Sequence, residues 1–311
     1  MKKFNFDFMS KRRLFIGISV FMVAISMLLI VFKGFNWGID FSGGTIIEFK
    51  THQSVSLEDI RAKLDDQNLG SYTLQEYGVK DEYLIKVTEK IEDSTKANQI
   101  VKSVDGELRR LEYVGPQMGR ELAEKGILAA LFSIVAILIY VAARFQMRFA
   151  VGGVLALFHD VIITLGMFSL LGKEFTLTVL AAVLTIIGYS LNDTIVVYDR
   201  IRENMQNDDD ELQEDDNKFA ALINKSINDT LRRSLMTSIT TMLVLFALLV
   251  WGGMSIHDFA FALLFGIVVG VYSSVFVASP MLIGLKRFAP KPKSPEQEVE
   301  DFARFNQMSD D

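Results

Sequence analysis

Three ionisable side chains lie in or against long apolar stretches. Asp160, next to His159, stands at the middle of a charge-poor run of 23 residues, 149–171. Asp193, preceded by Asn192, lies five residues before the end of a second run, 175–198, and Arg233 immediately precedes a third, 234–252. A charge near the centre of a bilayer costs at least ~2.5–3.5 kcal/mol, so each such group is a functional candidate. Carboxylate, imidazole and guanidinium at this depth suit proton exchange. A carboxylate whose distance from a permanent cation changes can load and release a proton. Each charge moved through ~100 mV delivers ~2.3 kcal/mol, enough to bias a two-state element. Other chemistries lack their residues. The chain has three His and no Cys, which leaves few metal ligands and no thiol. Gly43-Gly44 is not followed by the Lys-Ser/Thr of a phosphate loop, so no cofactor or nucleotide is expected.

Each candidate also has a plainer role. Arg233 at a span boundary suits an anchor reaching to the interface. His159 suits a satisfied interior hydrogen bond, and Asp160 a packing or capping carboxylate. The residues alone leave Asp160 open between proton relay and packing. Asp193 is roughly 8 Å from the end of its run at 1.5 Å per residue, too deep for a short side chain to reach water.

The elements that must position these groups follow from hydropathy. The 311 residues are 50% hydrophobic with net charge −6, and mean hydropathy is +0.29. The apolar residues are bunched into six runs: 14–32, 126–143, 149–171, 175–198, 234–252 and 259–285. Each is long enough to cross a ~30 Å hydrocarbon core. This excludes a soluble two-domain enzyme, and the absence of a basic stripe excludes a nucleic-acid binder. Short flanks on one side (1–13, 144–148, 199–233 and 286–311) hold 18 Lys/Arg, against Lys173 alone on the other. The positive-inside rule therefore puts both termini in the cytoplasm and segment 33–125 outside. The first run exceeds a signal peptide's apolar core and lacks a cleavage site, so it reads as an uncleaved anchor.

Segment 33–125 reads as a small α+β domain. Thr45–Lys50 alternates as a strand after the turn-prone Ser42-Gly43-Gly44. Ser56-Leu-Glu-Asp59 opens a helix reaching about Asn68. Strands follow at Tyr72–Gly78 and Tyr83–Thr88. A second helix is expected over Asp93–Leu111, with Ile100, Val104, Leu108 and Leu111 in register, then a closing strand Glu112–Val114 stopped by Gly115-Pro116. The order β-α-β-β-α-β predicts a ferredoxin-like fold. After span 4, the acidic run Asn207–Asn217 reads as solvated loop. Phe219, Leu222, Ile223, Ile227 and Leu231 then predict an amphipathic helix on the membrane surface, carrying no chemistry.

Polar and small residues recur with helical spacing inside the spans. These are Gly152, Ala156, Asp160 and Thr164 in span 3, and Thr178, Ala182, Thr185, Tyr189 and Asn192 in span 4. Arg233, Thr237 and Thr241 follow in span 5, with Gly266, Gly270 and Ser273-Ser274 in span 6. Such faces favour close helix packing, and the four are expected to meet. The Gly266-x-x-x-Gly270 pair reads as packing within the chain.

The chain resembles the SecD/SecF family of bacterial protein-translocase subunits, on the SecF side, which is related to the RND (resistance-nodulation-division) transporters. The resemblance covers roughly 11–287. It rests on Gly38-Ile-Asp-Phe-Ser-Gly-Gly-Thr45, Val114-Gly-Pro-Gln-Met-Gly119, Phe158-His-Asp-Val-Ile-Ile-Thr164, Gly188 to Asn204 with its Ser-Leu-Asn-Asp-Thr core, and Thr230-Leu-Arg-Arg-Ser-Leu-Met-Thr-Ser238. It implies a six-span protein of the bacterial inner membrane that pairs with SecD. The pair would assist the SecYEG channel, with YajC as a further partner, in exporting unfolded polypeptide with the proton-motive force. It places the family's proton-linked Asp and Arg on Asp193 and Arg233, with Asn192, His159 and Asp160 alongside. Outside the membrane the family motifs fall on Asp40, Gly43, Gly44, Thr45, Gly115, Pro116 and Gly119. Two other classes are the alternatives: half of a small-molecule RND-type exporter and, more remotely, an intramembrane aspartyl protease. A small-molecule RND exporter carries two long outside loops per twelve spans. An intramembrane aspartyl protease typically shows Tyr-Asp and Gly-x-Gly-Asp, where this chain has His-Asp and Asn-Asp.

Overall fold

The computed structural model describes residues 6–67, 69–70, 72–76, 81–87, 90–91, 93–144, 146–206 and 215–285. Asn68, Gly78, Thr88, residues 207–214 of the acidic run and the tail 286–311 lie outside the described residues.

Among the described residues, six helices are long and apolar enough to cross a membrane. They are α1 (Arg12–Phe32), α5 (Pro116–Arg144), α6 (Met147–Leu171), α7 (Leu177–Gln206), α8 (Asp216–Trp251) and the sixth, built from α9 (Met254–Ser273), a π turn (Ser274–Ala278) and α10 (Ser279–Gly284). α6, α7 and α9 form the centre of the bundle, with α8 against α7 and α9 and α1 against α6. Close approach depends on missing side chains. A Cβ on Gly166 would fall 2.3 Å from Ser26 of α1, and one on Gly266 would fall 2.3 Å from Ile186 of α7.

Three boundaries differ from those expected. α5 begins at Pro116, so 116–125 form its first turns and not the end of the outer domain; Pro suits a first helical position because its missing N–H is unpaired there anyway. α7 continues past 198 to Gln206. The expected surface helix is instead the first part of α8, continuous with span 5. Its apolar residues Phe219, Leu222, Ile223 and Ile227 are buried in one cluster with Val197, Ile201 and Met205 of the α7 extension. Asn204 donates to Ser226 at 2.8 Å and Arg200 pairs with Asp229 at 2.7 Å, so a partner helix and not a lipid surface takes up the amphipathic face. Arg148, counted from sequence as an exposed flank charge, is only 4% exposed. It lies over the Phe149 ring with Met205 Sδ 3.6 Å from its Nη2.

The α+β domain between α1 and α5, expected from sequence to lie outside, is a four-stranded antiparallel sheet with two helices on one face. After a short helix α2 (Ile39–Ser42), the chain runs β2 (Gly44–Thr51), α3 (Leu57–Asp65), β3 (Tyr72–Glu76), β4 (Glu82–Val87), α4 (Ser94–Ser103) and β5 (Gly106–Val114). The sheet order is β3-β4-β2-β5. Ile47, Phe49, Ile85 and Val87 point inward onto Ile60, Leu64, Ala97, Ile100 and Val101. Ser56 caps α3 by accepting the Asp59 N–H at 3.1 Å. The second helix is ten residues long and stops well before Leu111, because Asp105 takes a left-handed backbone (φ 57°) and Gly106 opens a strand. Leu108 and Leu111 looked helical because they are three apart. The register of β5 on β2 shifts between Glu48 and Phe49, so Arg109 bulges and both leucines face the core.

Two short strands, β1 (Asn36–Trp37) and β6 (Glu174–Phe175), pair in parallel and tie the segment after α1 to the α6–α7 loop. At the root of the domain Gly44 has φ 135°, and a Cβ there would fall 2.8 Å from the Val87 carbonyl oxygen. Gly44→Ala is therefore expected to destabilise the chain by about 1–3 kcal/mol, read as a lowered thermal midpoint. Gly17→Ala, which meets nothing within 4 Å, should leave that midpoint in place.

Candidate functional site

Two polar centres lie inside the bundle. The first surrounds Asp160, halfway along α6 and 1% exposed. Its Oδ1 is 2.8 Å from His159 Nδ1, and its Oδ2 accepts from Ser190 Oγ at 2.5 Å and from Ser273 Oγ at 2.8 Å. Three helices thus converge on one carboxylate. Their approach is close because Gly270 faces Ser190, whose Cβ would lie 3.2 Å from a Cβ at 270. The Gly266/Gly270 face of α9 packs on α7 within the chain. His159 stacks over Tyr272, ring centroids 6.2 Å apart, and the Tyr272 hydroxyl meets Ser19 Oγ and the Phe15 carbonyl of α1, each at 3.0 Å.

The second centre is Asp193, 6% exposed, on the side of α7 that faces α8. Ser234 of α8 lies beside its carboxyl without a hydrogen bond between them. The Ser234 and Ser238 hydroxyls are buried without a hydrogen-bond partner among the described residues. Asp160 and Asp193 are not a pair, since all side-chain bonds of Asp160 go to His159, Ser190 and Ser273. The shared-proton geometry of an aspartyl protease is therefore not formed.

The other site residues are distributed differently from expectation. Gly152, Ala156, Asp160 and Thr164 all face the interior. On α7 the polar stripe splits: Ala182 is buried, Tyr189 half-buried, and Thr178, Thr185 and Asn192 are exposed. On α8, Arg233 and Thr237 are exposed too. The four faces therefore do not all meet. Those of α6 and α9 close on α7 at Ser190, whereas a second face of α7 and α8 is turned outward at membrane depth. Arg233 adjoins Ser234 in sequence, but its side chain makes no hydrogen bond or ion pair with a described residue. Exposed Thr185, Thr237 and Thr240 satisfy their hydroxyls on carbonyls of their own helices.

The motif residues between α1 and the first turns of α5 gather into one joint. Asp40 Oδ2 accepts the Leu177 N–H at 2.9 Å, capping the N-terminus of α7 from a distant part of the chain. Gly43 packs on Pro116 and Val114, and Gly119 packs on Gly43 and Phe41. Thr45 Oγ1 accepts the Ile91 N–H at 3.0 Å. Lys86 donates to Glu174 Oε1 and to the Trp37 carbonyl, both at 3.1 Å. Between the helix-free face of the sheet and this base lies a crevice of about 530 Å³, lined among others by Asp40, Glu48, Arg110, Glu112 and Glu174. Sequence reasoning missed Ser190 as a partner of Asp160 and Asp40 as a cap. Ser190 could have been found one turn before Asp193. Asp40 could not, because its partner is 137 residues away.

Comparison with known proteins decides the family. The family model described as "Protein export membrane protein SecD/SecF, C-terminal" matches residues 93–287, and the "SecD/SecF GG Motif" matches 28–55. The chain belongs to the SecD/SecF family. Protein translocase subunit SecF of Magnetococcus marinus is 48% identical over 294 residues, 91% of this chain and 93% of that protein. The SecF subunit of Vibrio alginolyticus is 45% identical over 91% of each chain. Among solved structures, the translocon-associated membrane protein SecDF of Thermus thermophilus superposes with a TM-score of 0.81 at 37% identity. That superposition covers 92% of this chain and 39% of the longer SecDF chain. Within this SecD/SecF frame, the GG-motif match holds Asp40, Gly43, Gly44 and Thr45, the residues that root the outer domain on α5 and α7.

Asp40→Ala should remove the cap and loosen the first turn of α7 by about 0.5–2 kcal/mol. Amide exchange at Leu177–Leu180 should rise correspondingly, while Asp40→Asn, which keeps an acceptor oxygen, should show the smaller effect.

Proposed function

We propose that the chain works as the SecF-type accessory subunit of the Sec protein translocase, a transport component and not an enzyme, in complex with SecD in the bacterial inner membrane. With SecD it would use the proton-motive force to promote late export of unfolded polypeptide through SecYEG, with YajC as a further partner. The observation that carries this reading is Asp193: a carboxylate buried in an apolar bundle, one helix face away from an outward-turned stripe of Thr178, Thr185, Asn192, Arg233 and Thr237. The threonine hydroxyls are met within the chain, but lipid offers the Asn192 amide and the Arg233 guanidinium nothing, whereas the helices of a second six-span chain would cover them. Gly188, on the same exposed side, meets nothing within 4 Å and leaves room for a close helix.

In this reading Asp193 exchanges the proton and Asn192 borders it from the partner side. Arg233, exposed in the isolated chain, approaches Asp193 when the partner closes over the face. A change in the Asp193–Arg233 distance then loads or unloads the proton. His159 and Asp160 make up the second polar centre of the same bundle. The outer domain, read as ferredoxin-like, meets the exported chain or the partner. Its joint at Asp40 and Gly43-Gly44 passes movement to α7. Lipid contacts the exposed apolar faces of α1 and α5.

The topology that goes with this function has both termini in the cytoplasm and 33–125 outside. A protease added to the outer face should cut only within that segment; cutting in the acidic run 207–217 from outside would sink the orientation.

Asp193→Asn keeps shape and hydrogen bonding but cannot exchange a proton. It should assemble normally with the partner yet lose gradient-stimulated export of a slow precursor in inverted vesicles. Arg233→Lys keeps charge but alters geometry, and partial loss is expected. Full gradient stimulation in Asp193→Asn would remove this carboxylate from the mechanism.

A further inference from the structure

The bonds around Asp160 give it a role distinct from that of Asp193. Asp160 meets three groups at once: its Oδ2 accepts from Ser190 Oγ and Ser273 Oγ, and its Oδ1 lies against His159 Nδ1. Ser190 lies three residues before Asp193 on α7, and Ser273 is the last residue of α9. One turn further along α7 and one residue further along the sixth span a second contact forms: Thr194 Oγ1 and Ser274 Oγ are 2.8 Å apart, and Ser274 donates to the Gly270 carbonyl at 3.0 Å. The turn of α7 that carries Asp193 is therefore fixed at both ends to one point of the sixth span. That point is where the helix changes to a π turn, Ser274–Ala278. Such turns interrupt regular helix pairing and commonly accompany function. Ser279 Oγ donates to the Ser274 carbonyl at 2.7 Å and supports the widened turn.

We infer that Asp160 is a positioning residue: its Oδ2 clamps Ser190 and Ser273 and so sets the placement of the α7 turn on which Asp193 exchanges its proton. The inference rests on Asp193 as the proton-exchanging group. The titratable groups beside it are His159 on its own helix and Tyr272 on α9; α7 presents only Ser190 and Thr194 toward this contact. The weak point of the clamp is Ser273, whose single hydroxyl proton has a second acceptor, the Gly270 carbonyl at 3.0 Å. If Asp160 becomes Asn, one of the two carboxyl oxygens is replaced by an NH₂ group, and where that group faces the two hydroxyls the clamp loses its acceptor. Ser273 can then turn to Gly270, which leaves the Thr194–Ser274 contact to hold this turn of α7 to the sixth span.

The test uses the full chain assembled with its partner in membrane vesicles. Asp160→Asn, Ser190→Ala and Ser273→Ala are compared with the unchanged chain in three readouts: the amount of complex, the pH midpoint for modification of Asp193 by a hydrophobic carbodiimide (identified by its loss in Asp193→Asn), and the pH profile of gradient-driven export. Asp160→Asn is expected to assemble while moving both the modification midpoint and the export profile by about one pH unit. Each Ser→Ala change should move them less and in the same direction. An assembled Asp160→Asn whose two profiles coincide with those of the unchanged chain overturns the proposal. So does one that loses export with the Asp193 midpoint unmoved, since Asp160 would then carry the proton itself. If Asp160→Asn does not assemble, Ser190→Ala decides: unshifted profiles overturn the clamp. Failure of the underlying reading is separable, because it appears as normal gradient-driven export by Asp193→Asn in an otherwise unchanged chain.

Discussion

A carboxylate inside an apolar bundle must find hydrogen-bond donors on neighbouring helices, and Asp160 finds them on two. In water such bonds would be exchanged for solvent at little net gain. In a water-poor interior, an unpaired charge costs several kcal/mol, so the donors are effectively obligatory. That requirement fixes the rotation and height of α7 and α9 relative to α6. The glycines at 266 and 270 let the backbones come close enough for it to be met. The π turn that follows Ser273 is consistent with a helix whose register is set by this contact on one side and by Tyr198, which donates to the Ala278 carbonyl at 3.0 Å, on the other.

The outer domain is joined to this centre by backbone and side-chain bonds at several points. Asp40 caps α7, the β1–β6 pair spans from the end of α1 to the start of α7, and Lys86 bridges to Glu174. Exposed ion pairs generally contribute little, but Lys86 and Glu174 are largely shielded and Lys86 also holds a carbonyl. A displacement of the sheet would be felt at the N-terminus of the helix that carries Asp193. α7 is thus anchored at its N-terminal end by the domain, at mid-length through Ser190 and Thr194, and at its C-terminal end by the first part of α8. Asp193 lies within the second of these, between Ser190 and Thr194.

The charge pattern of the sequence, its hydropathy and its turn signals were enough to determine six spans, an α+β segment after the first, and the residue types that matter. Those are local properties: a span needs only length and low charge, and a cap needs only Ser56 or Asp93 just before its helix. Tertiary structure decided the rest. Leu108 and Leu111 mimic a helical period because a bulge at Arg109, dictated by pairing with β2, turns both inward. Phe219 to Ile227 has the pattern of a surface helix, and only the neighbouring α7 extension makes it a buried one. Arg148 carries the same charge as any flank arginine, yet packing hides it. Periodicity marked polar stripes on four helices but could not say which faced inward, since rotation of a helix is set by its partners. Asp160 is committed to Ser190 and Ser273 by donors 30 and 113 residues away, and Asp193 is buried against α8 by packing. Sequence supplies the groups that cannot be left unsatisfied in an apolar medium. Only the packed bundle determines which of them satisfy one another and which face outward.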